Sequence, residues 1–527
     1  IFRNAPQWFI SMTTTGLRDK ALAAIDATRF VPASGEKRLR GMIASRPDWL
    51  VSRQRAWGVP ITVFVNKEPG EPLRDDAVNT RVADAVAAGG ADAWFSTPAQ
   101  AFLGEDYNAD DYDMVEDILD VWFDSGSTHA FLLEQRDDLQ WPASLYLEGS
   151  DQHRGWFHSS LLESSGTRGR APYDAVLTHG FLMDGKGYKM SKSMGNTVEP
   201  EKVIKQFGAD ILRLWVVASD YSEDLRIGDE IIKGQVDAYR RLRNTFRFML
   251  GNLNHFDDAE RIEVSEMPEL DRWVLHRLSE LDEIVRKGCN DYEFHALYVS
   301  LHNFCTVELS AFYFDIRKDV LYCDGIDSVR RRSARTVLDE VFRCMTAWLS
   351  PILSFSMEEV WLNRYPEETG SVHLTLFPEV PGNWRDDALA AKWKTIRDVR
   401  RVITGALEIE RREKRIGSSL QALPEVFVTA DQQAALDGVD LAEIAITSGV
   451  KLTTGEGPAE AFRLEDVAGV SVVPDTATGE KCQRCWMILP EVGSGEDRAH
   501  EDLCHRCEDV VSRDAGAAPL AVNDETG

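Results

Sequence analysis

The stretch Gly187-Tyr188-Lys189-Met190-Ser191-Lys192-Ser193-Met194-Gly195-Asn196 places two lysines and two serines between two glycines. Upstream of it, residues 176–181 have the composition of a buried strand that ends in a turn. A mobile, glycine-flanked loop with two ammonium groups can close on a polyphosphate and neutralise the charge that develops as a phosphate bond breaks. A run of Lys and Ser alone is more often a solvated surface loop. The interpretation of the loop therefore depends on the motifs around it.

Length and composition set the first bounds. A chain of 527 residues is too long for a single hydrophobic core, so two to four domains are expected. Apolar residues at 43% and aromatic residues at 9% exclude general disorder. No run approaches the roughly 18 to 20 apolar residues of a membrane helix, so no membrane partner is expected. The net charge of −28 argues against binding nucleic acid through bulk electrostatics, although local basic surfaces remain compatible with it.

A second predicted strand, residues 145–147, runs into Glu148-Gly149-Ser150-Asp151-Gln152-His153 and then into an apolar helix at residues 156–164. Strand, polar turn and helix in this order are typical of a doubly wound α/β domain, in which ligands bind at the carboxyl ends of the strands. The two carboxylates and the glutamine of the turn are placed to hold a nucleotide ribose or an amino group. Capping of the helix by Ser150 or Asp151 is an equally good interpretation, and the two are compatible.

Downstream of the loop the pattern changes twice. From residue 229 to about 416 the apolar residues recur at helical spacing, which predicts a helical bundle. One stripe comprises Leu270, Val274, Leu278, Leu281 and Val285, and a second comprises Phe294, Leu297, Leu301, Phe304 and Glu308. Residues 422–475 then contain three predicted strands, which indicate a small α/β module; the strands are expected at residues 426–428, 444–447 and 470–473.

Arginines and lysines are concentrated on the predicted helices of this acidic chain. Such clusters suit contact with a phosphate backbone, although solvated faces with Glu/Arg pairing are the alternative. The clusters are Arg240, Arg241, Arg243 and Arg247; Arg330, Arg331 and Arg332; Arg397, Arg400 and Arg401; and Arg411, Arg412, Lys414 and Arg415.

Two Cys-x-x-Cys pairs, Cys482 with Cys485 and Cys504 with Cys507, are separated by a spacing that is typical of a zinc site. Each pair on a tight turn directs two thiolates at one ion, and four thiolates complete a closed tetrahedral site of structural type. Free or disulfide-bonded cysteines are the less favoured alternative. One structural Zn²⁺ in a reducing compartment is therefore predicted.

Several motifs together carry a resemblance to a known family. Lys189-Met190-Ser191-Lys192-Ser193 is letter for letter the KMSKS signature of class I aminoacyl-tRNA synthetases. Over essentially its whole length, the chain resembles bacterial isoleucyl-tRNA synthetases. The related valyl, leucyl and methionyl enzymes share KMSKS but differ in sequence at the motifs around Asp120 and Glu148. Those motifs are Ser52-Arg53-Gln54-Arg55-x-Trp57-Gly58, Asp120-Val121-Trp122-Phe123-Asp124-Ser125-Gly126, Glu148 through Phe157, and Cys482-Gln483-Arg484-Cys485-Trp486.

The resemblance implies a two-step reaction. Isoleucine attacks the α-phosphate of MgATP to give isoleucyl-adenylate and pyrophosphate, and the acyl group then passes to tRNA(Ile). Lys192, which would also bind ATP, and secondarily Lys189 would stabilise the pyrophosphate side of the transition state. Glu148, Gly149, Asp151 and Gln152 would hold the adenylate and the substrate ammonium, and Trp57 and Trp156 would line the isoleucine pocket. The resemblance further implies a cytoplasmic monomer that edits misactivated valine when full length.

The resemblance also predicts a multidomain chain with α/β and all-α parts. Residues 1–20 would end an editing insertion, because Arg3-Asn4-Ala5-Pro6-Gln7-Trp8-Phe9 is similar to the close of that insertion. The remaining expected domains are the second half of a class I Rossmann-type catalytic domain at 21–228, a helical anticodon-binding domain at 229–420, a small α/β junction module at 421–475, a zinc finger at 476–512 and a flexible tail at 513–527.

One departure from the family pattern leads to a prediction. Class I enzymes carry a His-x-Gly-His signature, and none of the eleven histidines here fits it. We expect this chain to be the C-terminal portion of a ligase and, alone, to activate no isoleucine. A non-catalytic tRNA-binding protein with a relic nucleotide fold and a valyl-type synthetase are the alternatives. Isoleucine-dependent ATP–pyrophosphate exchange by the purified 527-residue chain measures this directly, and a signal above background would refute the expectation.

Overall fold

Parallel strands connected by helices form the first part of the chain, and helices dominate the rest. A computed structural model describes residues 6–366, 370–494 and 498–514. The chain divides into two units. The first unit comprises Ile1–Met183 and Tyr221–Leu225, and the second comprises Asp184–Asp220 and Arg226–Gly527.

The first unit mixes short strands with helices. In chain order its elements are β1 (Phe9–Ile10), α1 (Leu17–Asp26), β2 (Arg29–Val31), α2 (Ser34–Ala44), β3 (Trp49–Leu50), β4 (Ser52–Arg53), β5 (Phe64–Asn66), α3 (Asp76–Gly89), α4 (Ala93–Ser96), α5 (Ala99–Leu103), β6 (Tyr112–Met114), β7 (Ile118–Leu119), α6 (Val121–Gly126), β8 (Tyr146–Gly149), α7 (Trp156–Thr167), β9 (Ala175–His179) and β10 (Leu182–Met183).

A parallel three-stranded sheet of order β2-β9-β8 forms the centre of this unit. Val176 of β9 lies opposite Phe30 on one side and Tyr146 on the other. These strand side chains join a buried apolar cluster with residues of α1, α2 and α7. The predicted strand–turn–helix unit is therefore present, and the turn between β8 and α7 lies at the carboxyl end of a parallel strand.

An excursion between β4 and β7 has its own small core. Phe64, Trp94 and Phe102 are buried there against one another. The chain enters and leaves through strands that pair antiparallel, so that Ser52 lies opposite Leu119. This pairing brings the residues before and after the excursion side by side.

The second unit contains most of the helices. Its elements are α8 (Pro200–Phe207), α9 (Ala209–Val217), β11 (Leu225–Arg226, at the unit boundary), α10 (Asp229–Asn252), α11 (Glu269–Asp291), α12 (Phe294–Asn303), α13 (Phe314–Cys323), α14 (Val329–Leu349), α15 (Ser354–Arg364), α16 (Asp387–Arg412), β12 (Glu425–Val428), α17 (Ala430–Leu436), α18 (Leu441–Ala445), β13 (Lys451–Thr454), β14 (Ser471–Val473), β15 (Glu480–Lys481), β16 (Ile488–Leu489) and α19 (His505–Asp514).

The first predicted apolar stripe is confirmed, because all five of its residues are buried in one large core. The second stripe holds only in part. Leu297, Leu301 and Phe304 are buried, whereas Glu308 accepts hydrogen bonds from Arg277 at 2.8 and 3.1 Å. The physical reason is a wide π-helical segment, Phe304–Tyr313, which shifts the helical register between α12 and α13.

A buried carboxylate joins three segments of this bundle. Asp271 of α11 accepts hydrogen bonds from Tyr313 Oη at 2.8 Å, from Arg317 Nε at 2.9 Å and from Ser333 Oγ at 2.6 Å. All four side chains are buried. Arg317 also donates to Glu443 of α18 at 2.7 Å. The network therefore connects the bundle to the segment that follows it.

The small module is a three-stranded sheet of order β13-β12-β14. The strands predicted at residues 426–428 and 470–473 are confirmed, within one residue at each end. The strand predicted at residues 444–447 is wrong. Helix α18 occupies Leu441–Ala445 because the Asp440 carboxylate accepts from two backbone N–H groups at its start, and Ile446 ends it in the left-handed conformation. The third strand is β13 instead.

The expected flexible tail and the first residues of the expected editing segment lie mostly outside the described residues. None of the helices in the described part of the chain combines the length and the apolar composition that a membrane crossing requires.

The Asp271 network gives a stability prediction. Asp271→Ala leaves the buried Arg317 guanidinium without its main partner, so the helical unit should lose about 3–5 kcal/mol of unfolding free energy. Urea unfolding followed by far-ultraviolet circular dichroism measures the shift. The matched control is Asp258→Asn, which removes a carboxylate that is 91% exposed and paired with Arg261; its unfolding free energy should stay close to that of wild type. Equal shifts for the two variants would contradict the role assigned to Asp271.

Candidate nucleotide site and metal centre

The pairing of β4 with β7 assembles two of the motifs. Arg53 Nη2 lies 2.9 Å from Asp120 Oδ2, and Gln54 Nε2 donates to Asp117 Oδ2 at 2.9 Å. The Asp120 side chain also accepts from the Trp122 backbone N–H and so caps α6. The basic loop and the acidic motif are therefore held together by charge-assisted hydrogen bonds.

Helix α6 in turn lies against α7. Trp156 Nε1 donates to the Ser125 carbonyl at 3.1 Å, and Ser160 Oγ donates to the Gly126 carbonyl at 2.8 Å. The indole of Trp156 stacks on Tyr146 with ring centroids 4.1 Å apart. Three motifs that are distant in the sequence thus form one cluster in the first unit.

The turn after β8 presents its polar groups at the carboxyl end of that strand. Glu148 and Asp151 are exposed, and Gly149 is buried beneath them. Gln152 Oε1 accepts from the Trp156 backbone N–H at 2.9 Å, so this glutamine caps α7. The capping interpretation of Ser150 and Asp151 is therefore wrong, because their side chains precede the helix by a full 3₁₀ turn. The Asp151 carboxylate accepts from Gln152 Nε2 at 3.4 Å, and a role of Glu148 and Asp151 in ligand binding stays a prediction.

Close packing accounts for the glycines in these motifs. A Cβ atom on Gly126 would lie 2.1 Å from Glu163 Oε1, and one on Gly155 would lie 2.8 Å from the Trp122 ring. Both contacts are too short for any other residue without movement of a neighbour. The glycines thus permit α6 to lie directly on α7.

Trp57 differs from Trp156 in its surroundings. It is 89% exposed on the loop that follows β4, whereas Trp156 is half-buried. An exposed indole of this size is unusual in a packed unit and suits contact with a ligand or another segment. The role of both tryptophans in an amino-acid pocket stays a prediction.

The residue that sequence reasoning missed in this unit is Glu163. Its side chain is buried on α7 beside Gly126, and one carboxylate oxygen has no hydrogen-bond partner among the described residues. Burial, reinforced by nearby Asp124, raises the pKa of Glu163 to about 9. On the same helix, burial lowers the pKa of His158 to about 3, so both groups are neutral near pH 7. In the sequence, residues 158–165 present polar side chains on a helix without alternating positive and negative charges. This pattern was the available signal for the two buried titratable groups.

The lysine loop belongs to the second unit, and two residues secure its base. Asp184 accepts from the backbone N–H groups of Lys186 and Tyr188, and it accepts from Asn196 Nδ2 at 3.0 Å. These hydrogen bonds, that from Asn196 first, hold the pKa of Asp184 below its usual range. Asn196 also bridges to Ser191 N at 2.9 Å. Asp184 was missed in the sequence because it lies outside the signature.

Between these anchors the signature itself is exposed. A short 3₁₀ turn, Lys192–Met194, is capped by Ser191 Oγ and ends at Gly195 with φ 66°. Lys189 and Lys192 are both exposed. An exposed turn with two ammonium groups on an anchored base is suited to binding phosphate oxygens.

The structure separates the arginine clusters into internal and outward groups. Arg331 and Arg332 donate to backbone carbonyls, and Arg330 lies 2.9 Å from Glu443. Arg397 and Arg400 lie over the Phe312 ring, and burial lowers the pKa of both. Within these four clusters and among the described residues, the exposed side chains without an ion-pair partner inside 4.0 Å are Arg241, Arg247, Arg412 and Lys414. These four form the outward group, and they suit nucleic-acid contact better than the internal group, whose guanidiniums are engaged within the fold.

The four paired cysteines form a metal centre. Cys482, Cys485, Cys504 and Cys507 are buried, and their sulfurs all lie within 4.8 Å of one another. The Cys485 and Cys504 sulfurs are 3.8 Å apart. Sulfurs on a tetrahedral zinc with bonds of about 2.3 Å would be about 3.8 Å apart, so the donor set fits Zn²⁺. The backbone N–H of Cys504 also donates to Cys482 Sγ at 3.3 Å, as thiolate sulfurs prefer.

Comparison with known families agrees with this arrangement. Residues 1–228 match the model described as "tRNA synthetases class I (I, L, M and V)". Residues 271–427 match "Anticodon-binding domain of tRNA ligase", and residues 479–510 match "Zinc finger found in FPG and IleRS".

Curated relatives are similar over nearly the whole chain. An isoleucine–tRNA ligase of Brucella abortus is 57% identical over 525 residues, which cover 98% of this chain and 53% of that protein. One from Mesorhizobium japonicum is 57% identical over 516 residues, covering 96% and 51%. The chain thus spans about half the length of the curated relatives it matches. A solved methionyl-tRNA synthetase from Mycobacterium tuberculosis gives a TM-score of 0.48 at 18% identity, over 69% of this chain and 66% of that chain.

The buried Glu163 generates a pH prediction. Its folded pKa of about 9 exceeds the ordinary value, so its contribution to stability is complete below about pH 4 and is lost as the pH rises towards 9. Glu163→Gln has no carboxyl to ionise and so lacks this loss. Between about pH 5 and pH 8.5 the wild type should therefore lose stability relative to the variant, and the difference in their melting temperatures should grow. Differential scanning calorimetry measures these melting temperatures. The exposed Glu68→Gln is the control, and a pH-independent difference for Glu163→Gln would contradict its neutral state.

Proposed function

We propose that this chain supplies three parts of a ligase; the chain belongs to the isoleucine–tRNA ligase family of class I tRNA synthetases. The three parts are the lysine loop, the turn after β8, which would bind the adenylate, and the helices that would bind tRNA. The ligase activates isoleucine with MgATP and transfers it to tRNA(Ile). The observation that carries the proposal is the 57% identity over 98% of the chain, with the signature loop intact.

In the activation step the lysines act through charge. As isoleucine attacks the α-phosphate, negative charge accumulates on the departing pyrophosphate. The Lys192 ammonium, with Lys189 beside it, stabilises that charge more in the transition state than in bound ATP. Mg²⁺ enters with ATP as part of the substrate and would neutralise part of its phosphate charge. The anchored base formed by Asp184 and Asn196 supports this role, because it limits the positions that the two ammonium groups can adopt.

The turn after β8 binds the adenylate. Glu148 and Asp151 carry exposed carboxylates, which suit the substrate ammonium and ribose hydroxyls, and the Gly149 backbone allows close approach. Gln152 contributes while it caps α7. Trp57 and Trp156 line the apolar pocket that holds the isoleucine side chain. Such an apolar pocket separates isoleucine from valine by only ~1–3 kcal/mol, so we assign editing of misactivated valine to the whole protein.

The helical unit contacts the tRNA. Arg241, Arg247, Arg412 and Lys414 are the outward cations that support phosphate contact. The zinc is structural, since four thiolates leave no open position on the metal. We place the enzyme in the cytoplasm, because a four-cysteine metal centre suits a reducing compartment. A monomer stays a prediction.

The test uses a protein of the relatives' full length. Lys192→Ala should lower the rate of isoleucine-dependent ATP–pyrophosphate exchange by about 10²–10³-fold, mainly in kcat, because the interaction is made in the transition state. The control is Lys202→Ala, which removes an exposed lysine of α8 that pairs with Glu199 and should leave the exchange rate unchanged. Exchange driven by valine in preference to isoleucine, or no exchange with any amino acid, would refute the proposed reaction.

A further inference from the structure

The metal centre contacts the helical bundle through residues that lie inside its two Cys-x-x-Cys turns. Arg484, between Cys482 and Cys485, donates from Nη1 to the Cys323 carbonyl at 2.5 Å and from Nη2 to the Tyr322 carbonyl at 3.4 Å. Both carbonyls belong to the last turn of α13. A guanidinium at this position neutralises the partial negative charge of a helix C-terminus and satisfies its unpaired carbonyls.

The second turn makes a matching contact. Arg506, between Cys504 and Cys507, donates to both carboxylate oxygens of Asp319 at 2.5 and 2.7 Å. The same guanidinium donates to Asp324 at 3.2 Å. Asp319 lies on α13, and Asp324 follows its last residue. The two arginines therefore hold the same end of one helix from two turns of the metal centre.

A fifth thiol lies beside the four ligands. Cys323, the last residue of α13, is buried in one cluster with Cys482, Cys485, Cys504 and Cys507. Its S–H group donates to the Arg484 carbonyl at 3.7 Å. Cys323 is not among the four residues whose sulfurs converge on the metal position. The hydrogen bond therefore joins the last residue of α13 to the backbone between the ligands Cys482 and Cys485.

We propose that the zinc ion clamps the carboxyl end of α13. By fixing the two Cys-x-x-Cys turns, the metal holds Arg484 on the carbonyls of Tyr322 and Cys323 and holds Arg506 on Asp319 and Asp324. Cys323 is the positioning residue on the helix side of this contact, because its thiol donates to the Arg484 carbonyl between Cys482 and Cys485. The inference rests on the zinc site and not on the aminoacylation proposed above.

The physical reason is that neither turn can hold its arginine without the metal. Small zinc modules fold on binding, since four ligand sulfurs without an ion have no attraction that keeps them together. Loss of the ion releases both guanidiniums and leaves the buried Asp324 with only the longer contacts from Ser328 Oγ at 3.4 Å and Arg330 at 3.7 Å. Arg317 lies on the same helix and belongs to the Asp271 network, so the clamp reaches the centre of the bundle.

The first experiment keeps the zinc in place and removes the two arginines from the 527-residue chain. In Arg484→Ala/Arg506→Ala, amide hydrogen exchange of residues 314–328 should accelerate on the order of tenfold, while zinc content stays at one per chain. Arg513→Ala removes an exposed arginine from the same helix, α19, and should exchange as wild type does. Unchanged protection of residues 314–328 in the double variant would overturn the clamp.

The second experiment removes the metal. Stripping zinc from wild type with a chelator should accelerate exchange of residues 314–328 by the same factor as the double substitution does. Stripping zinc from the double variant should accelerate exchange of residues 314–328 by less than about a further twofold, because zinc removal and the two substitutions abolish the same interaction. A full additional acceleration in the double variant would show that the metal acts on α13 by another route, and would overturn the assignment to these arginines.

The third experiment tests Cys323 by the rate of zinc release to a chelator. Cys323→Ala should release zinc about tenfold faster or more, because the first Cys-x-x-Cys pair loses its hydrogen bond from α13 to the Arg484 carbonyl. Cys323→Ser keeps a donor group and should stay within about threefold of wild type. Cys289→Ala, a half-buried thiol on α11, is the control. Release from Cys323→Ala at the wild-type rate, or from Cys323→Ser as fast as from Cys323→Ala, would overturn the positioning role.

Discussion

The buried ion pair between Asp271 and Arg317 is the constraint on which the helical unit depends. Taking two charges out of water is costly, and the cost is offset here because each oxygen of Asp271 also accepts a hydroxyl hydrogen bond. The pair can form only when α11, α13 and α14 meet in one register. Arg317 extends the constraint to Glu443, so the small α/β module is tied to the same point.

A different constraint governs the first unit, in which glycines let helices approach. Gly126 and Gly155 bring α6 within contact of α7, and this approach buries Glu163 in its neutral form. The same approach orients Trp156 through its bond to the Ser125 carbonyl. The glycines of these motifs therefore serve the packing of the two helices. A substitution at either glycine would disturb the turn after β8 without changing any of its polar side chains.

Local signals predicted much of the architecture, and contacts over long sequence distances decided the rest. The apolar stripe of α11, the strand–turn–helix at Glu148 and the cysteine spacing are each contained within a short segment, and each is confirmed. The residues around 444–447 have strand composition, yet Asp440 caps a helix there. Arg397 and Arg400 have the pattern of a basic surface, but the Phe312 ring, far away in sequence, covers them.

The sequence by itself determined the family, the lysine loop and the metal ligands, because these depend on which atoms a short segment can present. The KMSKS letters and the two Cys-x-x-Cys pairs carry that information without reference to any partner segment. Only the tertiary structure decided which charges serve the fold and which face outward. It set Arg484 and Arg506 on the end of α13 and Arg330 on Glu443, and it left Arg241 and Arg412 exposed. The reason is physical: the free energy of a charge depends on what covers it, and that is fixed only when distant segments come into contact.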